Sequence, residues 1–289
     1  MSAQTYEFED WIGRTERTSD RLSAARSRRW LATFDRQSPD DGAMPQGIHW
    51  CLCTPEAPTI GLGEDGHPQR GNSPDSFLPP IPLPRRMWAA SDVTFHAPLV
   101  PGSNVERVTR IDSIAEKEGA SGRLVFVTLG HETSAGGRVA VSEKQTLVYR
   151  DAAAANAALV PPQVGEGGFD ASNWQATRAV LPGEPLLFRY SALTFNSHRI
   201  HYDAPYASDV ERYRGLVVHG PLTATLLLEH AAQQLGDNAL ANFKFRGTSP
   251  AIVGEELILG MRGTGNNIEL GAVAADGRQV MTAEATVRA

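Results

Sequence analysis

The hydrophobic and polar positions of this chain write one pattern twice. "GRLVFVTLGHETSAGGRVAVSEKQTLVYR" (Gly122–Arg150) carries β-branched and aromatic runs on either side of Gly136–Gly137, the signature of a long hairpin. "EELILGMRGTGNNIELGAVAADGRQVMTAEATVRA" (Glu255–Ala289) repeats it, with GTGNN and DG as turns. Ahead of the second set lies "HGPLTATLLLEHAAQQLG", where Pro221 suits a first helical turn and Gly236 a stop. Leu222, Leu226, Leu227, Ala231 and Leu235 form a broad apolar stripe between them, which predicts a mostly buried helix of about 14 residues. A helix followed by long antiparallel strands, written twice, predicts an α+β protein in which a curled sheet wraps a helix in each half.

Two further matches in the same order support the repeat. "VTFHAPLVPGSNV" (Val93–Val105) is similar to "FKFRGTSPAIVGEEL" (Phe243–Leu257), with Pro98/Pro250 and Gly102/Gly254 both 152 residues apart. "GRVAVSEKQTLVYR" (Gly137–Arg150) is similar to "GRQVMTAEATVR" (Gly277–Arg288) at an offset near 140. The Ala-, Pro- and Gly-rich stretch after Arg150 reads as a linker, which divides the chain into 1–150, a linker at 151–168, and 169–289. The first half is degenerate. Where its helix belongs, "CLCTPEAPTIGLGEDGHPQRGNSPDSFLPPIPLPRR" holds eight of the 19 prolines between Pro55 and Pro84. Such a segment forms no regular helix and suits a lid or pocket wall.

Composition narrows the classes. With 289 residues, 41% hydrophobic and 21% charged, the chain can bury a sizeable core. A net charge of −6 and a pI near 5.8 offer nothing to nucleic acid or an anionic membrane, so neither is expected as a partner. No apolar run approaches the roughly 18 residues that span a bilayer. The polar, acidic N-terminus lacks a signal-peptide core, so a cytoplasmic location is expected. Cys51 and Cys53, in "HWCLCTP", lack the partner ligands of a zinc site and read as small buried residues.

The densest chemistry is "FNSHRIHYD" (Phe195–Asp203), with Asn196, His198, His201 and Asp203 in nine positions. One reading is a surface turn with hydrogen-bonding histidines. The other is a water-activating site, with an imidazole as base and an amide to orient the water. Downstream, the helix opening at Gly220–Pro221 offers unpaired N–H groups suited to a developing enolate oxygen. Pro221 has no N–H, so the donor is Gly220 or Leu222; Gly220 is favoured because a missing side chain lets substrate approach. Arg85 and Arg86 end the Pro-rich wall and could bind a carboxylate, with Trp88 against a hydrocarbon edge. Strand alternation admits only one of the two arginines. Lys244 and Arg246, on "FKFRG", are candidates for binding phosphate groups. His49, His67, His96, His131, His219 and His230 read as structural, and Asp92 and Asp203 as auxiliary acids.

At these residues the chain resembles the MaoC-like and type 2 hydroxyacyl-thioester dehydratases, whose fold is the hotdog. In "FNSHRIHYD", Asn196 stands at the family's Asp position, His201 at the catalytic His and Asp203 at the trailing acid; His198 stands where the signature has Asn. Asn at the first position is the form of the type 2 branch. "VVHGPLTATLLLE" resembles the opening of the hotdog helix, where a backbone N–H polarises the thioester carbonyl. "LPPIPLPRRMWAASDVTFHAPLVPG" (Leu78–Gly102) resembles the N-terminal domain of two-domain dehydratases, among them bacterial itaconyl-CoA and mesaconyl-C4-CoA hydratases. The likeness spans roughly residues 45–289.

The resemblance implies a double hotdog with a degenerate N-terminal unit, and a hydro-lyase acting on a short dicarboxylic enoyl-CoA to give citramalyl-CoA. His201, Asn196 and Gly220 would be catalytic; Arg85, Arg86, Trp88, His198, Arg246 and Lys244 would bind substrate, the last two at the phosphates of coenzyme A. No metal or redox cofactor is expected, coenzyme A being part of the substrate, and a homodimer is left open. A dehydratase of carrier-bound 3-hydroxyacyl chains and an acyl-CoA thioesterase with an acid such as Glu229 remain as alternatives, beside a non-catalytic acyl-CoA-binding protein.

Overall fold

A computed structural model of the chain describes residues 8–71, 76–119, 122–162 and 168–288. The alternating runs form strands. In the first half these are β1 (Thr15–Arg21), β2 (Arg85–Phe95), β3 (Asn104–Gly119), β4 (Gly122–Ala135) and β5 (Arg138–Arg150), with helix α1 (Ala24–Thr33) after β1. In the second they are β6 (Ala176–Val180), β7 (Leu240–Gly247), β8 (Leu257–Thr264), β9 (Asn267–Ala274) and β10 (Gln279–Val287), with helices α2 (Glu184–Thr194) and α3 (Gly220–Leu235) after β6. All ten strands join one antiparallel sheet in the order β1-β3-β4-β5-β2-β7-β10-β9-β8-β6. The order is a mirror about the β2–β7 seam, so the sequence repeat is a repeat of topology.

The matched turns explain the sequence matches. Gly102 (φ 95°) and Gly254 (φ 79°) take left-handed backbone before β3 and β8, where a side chain would be strained. Gly136 and Gly137, at φ 57° and 76°, close the β4–β5 hairpin in the mirror-image turn that suits strand twist.

The two halves fill their concave faces differently. In the second, α3 lies against Phe243, Leu259, Leu270 and Ala283, and every residue from Leu222 to Ala231 is buried. Each fully buried leucine contributes about 2 kcal/mol. Met44, Ile48 and Trp50, just ahead of the insert, join the same core, and Gly47 (φ 101°) brings the chain against Thr225 and Leu228. In the first half, residues 34–84 hold no α-helix among those described, only short 3-10 turns at Ile48–Cys51 and Thr59–Gly61 and a Leu62–Pro68 bridge. There Phe8, Trp11, Ile81 and Leu83 pack on Ile111, Val125, Val127 and Tyr149 where a helix would lie. The linker is pinned at Val160, whose N–H donates to Arg212 O (2.9 Å) and whose carbonyl accepts from Arg214 N (2.8 Å); residues 163–167 of that predicted linker lie outside the described residues. Cys51 is fully buried, its thiol pushed up to about 12 by burial, and Cys53 is half-buried. Among the described residues, no helix is long and apolar enough to cross a membrane.

Candidate active site

The loop "FNSHRIHYD" leaves α2 through Phe195, whose left-handed backbone (φ 49°) ends the helix. Asn196 then folds the loop, its Oδ1 accepting from His198 N at 2.9 Å. A 3-10 turn at Arg199–His201 aims His201 inward, where it is 8% exposed. Val217 lies alongside: its N–H donates to Ile200 O (2.9 Å) and its carbonyl accepts from His201 Nδ1 (2.7 Å). A carbonyl only accepts, so Nδ1 carries the proton and Nε2 keeps a lone pair. This is the tautomer a base requires.

Three residues beyond Val217, α3 begins. His219 is its N-cap, makes no capping hydrogen bond, and stacks on His201 with ring centroids 3.5 Å apart. Gly220, the first helical residue, follows directly on the histidine whose ring stacks against the bare imidazole. A Cβ at 220 would come within 3.6 Å of Trp88 O, so this helix start faces β2.

His201 thus lies against His219, the residue before Gly220. Asn196 instead spends its oxygen on its own loop. Asp203 is consumed too, by Arg199 Nε and Nη2 (3.0 and 2.7 Å) and by Tyr206 N (3.0 Å), so it braces the loop rather than serving as an acid.

The arginine pair is resolved by a β-bulge. In the β2–β5 register Trp88 faces Leu147 and Ala90 faces Thr146, leaving Ala89 extra. The bulge puts Arg86 and Trp88 on the same concave face as Ser91 and Val93. Arg85 turns the other way, where its Nε pairs with Glu211 (2.7 Å) and its Nη2 donates to Val210 O (3.1 Å). The expectation that Arg85 could bind substrate is corrected: it is buried and spoken for. Arg86 makes no ion pair among the described residues, and its charge bears on His67 and His198.

Lys244 and Arg246 lie apart from the histidines. Their strand neighbours Phe243 and Phe245 are buried against α3, so both basic side chains are exposed on the opposite face. Lys244 stands between Asp92 and Glu284 in a row of charges from Lys144 to Arg262. A surface groove of about 620 Å³ lined by Trp174, Lys244, Arg262 and Glu284 lies there, and none of the histidines lines it.

Two residues read as structural from sequence join the site. His219 stacks on His201, as above. His67, from the Pro-rich insert, packs against His198 with the rings tilted by 34° and centroids 4.1 Å apart, and His198 meets His201 edge-on at 5.4 Å. Four imidazoles thus run in contact from the insert to the helix start. Burial, then His198, hold the His201 imidazole down at about 3, and burial and His67 do the same for His198. Burial also lowers His67 and His219. All four are neutral near pH 7. Burial raises the Asp65 carboxyl, but His67, through its Nδ1 at 2.9 Å, its charge and its backbone N–H, together with His198, keeps it at about 2. Donor atoms of Asp65, His67 and His198 lie within 4.8 Å of one another, but the nearby Arg86 and Arg70 charges oppose a divalent cation there.

Trp88 has a support that the sequence reading missed. Its Nε1 donates to Ser91 Oγ (2.9 Å), Ser91 donates to Glu143 Oε1 (2.5 Å), and Trp50 Nε1 reaches the same carboxylate at 3.2 Å. Glu143 is wholly buried, yet His49 and Ser91 hold it ionised, at about 2. Its inward parity with Val141 was the available signal.

The chain is similar to several known proteins. The family model described as hydroxyacyl-thioester dehydratase type 2 matches residues 47–253. Over 276 residues the chain is 41% identical to mesaconyl-C(4)-CoA hydratase of Chloroflexus aurantiacus, covering 94% of this chain and 95% of that one. It is 28% identical over 252 residues to the mitochondrial hydroxyacyl-thioester dehydratase type 2 of Schizosaccharomyces pombe, covering 78% and 79%. The solved structure of HtdX from Mycobacterium tuberculosis superposes with a TM-score of 0.67 at 16% identity, covering 95% and 100%. A double-hotdog protein of the same organism gives 0.56 at 14%, covering 96% of each chain. With the strand order mirrored about one seam, the fold is a double hotdog, and the chain belongs to the hydroxyacyl-thioester dehydratase type 2 family, enzymes of hydratase and dehydratase chemistry.

Proposed function

We propose that this hydratase adds water to the double bond of a short dicarboxylic enoyl-CoA, with mesaconyl-C4-CoA as substrate and citramalyl-CoA as product. His201 Nε2 takes a proton from water as the oxygen bonds to the β-carbon. The π electrons shift to the thioester oxygen, which the Gly220 N–H receives at the helix start. Collapse of this enolate, with protonation at the α-carbon, completes the addition. Asn196 shapes the loop that presents the base. The route needs a double bond conjugated to the thioester, which mesaconyl-C4-CoA has and itaconyl-CoA lacks.

One observation carries the dicarboxylic reading. In mesaconyl-C4-CoA the free carboxylate sits on the carbon that receives the hydroxyl, so its reader must neighbour the base. Arg86, which has no ion-pair partner among the described residues, bears on His198, and that ring touches His201. A bound carboxylate would also bring the counter-charge that raises the depressed His201 towards a useful basicity. The thioesterase alternative is disfavoured because Glu229 is 2% exposed and paired with Arg36 at 2.8 Å.

Mesaconyl-C4-, itaconyl- and crotonyl-CoA assayed side by side, with product analysis and a thiol reagent present, test the assignment. Hydration of the first, with little turnover of the third, is expected. Release of free thiol in place of hydration would overturn it.

A further inference from the structure

The tip of the Pro-rich insert is fastened to the catalytic loop. Arg199 N donates to Asp65 O (2.9 Å), Arg199 Nη1 to Glu64 O (3.1 Å), and Ser197 Oγ to Gly66 O (2.6 Å). Gly66 has φ 85°, and a Cβ there would lie 2.0 Å from Ser197 O, so only glycine permits this approach. The tip exists as a small hairpin closed by the Leu62–Pro68 bridge and by Gly63 N donating to His67 O (2.7 Å). What it presents to the site is His67.

The His67 ring is held on two sides. Its Nδ1 meets Asp65 Oδ2 at 2.9 Å, and the ring packs against His198. Asp65 carries the anion, so Nδ1–H is the donor and Nε2 is left for a ligand. The charged and titratable groups bearing on this ring are Asp65 and Arg70 of the insert, Arg86 of β2, and His198 and His201 of the catalytic loop. Two guanidinium charges against one carboxylate make the crevice receptive to a second anion.

We propose that His67 is a specificity-determining residue: with the Arg86 guanidinium, its Nε2 receives the free carboxylate of the acyl chain. The proposal rests on the dicarboxylic reading above and extends it to a residue of the insert. Binding changes no covalent bond except one N–H. As the substrate anion arrives, His67 takes a proton from solvent and becomes a double donor between Asp65 and the substrate carboxylate. Between the lowered pKa of the free ring and the higher pKa it reaches in the complex, binding is coupled to this uptake and weakens as pH rises. KM for the dicarboxylic substrate therefore rises with pH, while that for crotonyl-CoA, which brings no carboxylate, lacks this component.

The test is kcat/KM for mesaconyl-C4-CoA and crotonyl-CoA with the wild type, His67→Ala, His67→Gln and Arg86→Ala, from about pH 6 to about pH 9, bracketing the histidine range. His67→Ala is expected to lower the selectivity ratio about tenfold, the loss of one charge-assisted hydrogen bond. His67→Gln, which keeps a neutral donor, should restore part of the ratio and lose the pH dependence of KM. Equal losses on both substrates in both His67 variants would make the residue merely structural and overturn the proposal. A ratio that collapses in Arg86→Ala but survives in His67→Ala overturns this inference alone. A wild type without preference for the dicarboxylic substrate overturns the parent reading.

Discussion

The two halves share a strand order and differ in what occupies the hollow of the sheet. The second keeps α3, buried from Leu222 to Ala231, and with it a helix start beside His201. The first has a proline-rich chain there, and gives the site Arg86, Trp88 and His67 instead. Helical amides can polarise a carbonyl but cannot discriminate one acyl group from another. An irregular segment can place side chains of chosen chemistry anywhere its backbone reaches, provided glycines such as Gly66 allow the approach. In the reading proposed above, the half without the helix supplies recognition and the other half the chemistry.

The comparison breaks most sharply at the base. His201→Gln retains a donor for Val217 O but has no imidazole lone pair, and should lower kcat at least about 10²-fold with an unchanged circular dichroism spectrum. Near-normal turnover would move the base elsewhere. Next comes packing. Leu227→Ala, at a fully buried position of α3, should cost about 3 kcal/mol in urea unfolding. Leu83→Ala in the insert, on an irregular segment freer to close the gap, should cost less. Equal costs would show that the two fillings are equally rigid.

A smaller effect is the pH dependence of stability. The folded His201 and His198 titrate at about 3, against about 6.5 when unfolded. Between those values the unfolded chain binds more protons, so stability is full above about 6.5 and falls as pH drops towards about 3. Melting temperatures across that window should decline more steeply for the wild type than for His201→Gln, which removes one such group. Parallel curves would argue against a buried neutral ring.

Much of this fold was legible in sequence because its signals are local. The α3 stripe, the Gly136–Gly137 turn and the paired Pro–Gly spacings each lie within about 20 residues. Helices α1 and α2 were not foreseen; "AARSRRWLAT" offers few apolar positions and "EPLLFRYSALT" no clean stripe. In the site, His201 and Gly220 could be read from adjacent motifs. His67 could not, since 131 residues separate it from the ring it packs against, and only the folded insert closes that distance. Nor could the bulge at Ala89, which decides between Arg85 and Arg86. Lys244 and Arg246 face outward, as the alternation in "FKFRG" already implied.

The division of labour is tested most directly by Arg86→Ala. Measured as the ratio of kcat/KM for mesaconyl-C4-CoA to that for crotonyl-CoA, the account predicts a fall of about tenfold or more, because the guanidinium reads the substrate's free carboxylate. A ratio equal to that of the wild type would contradict it.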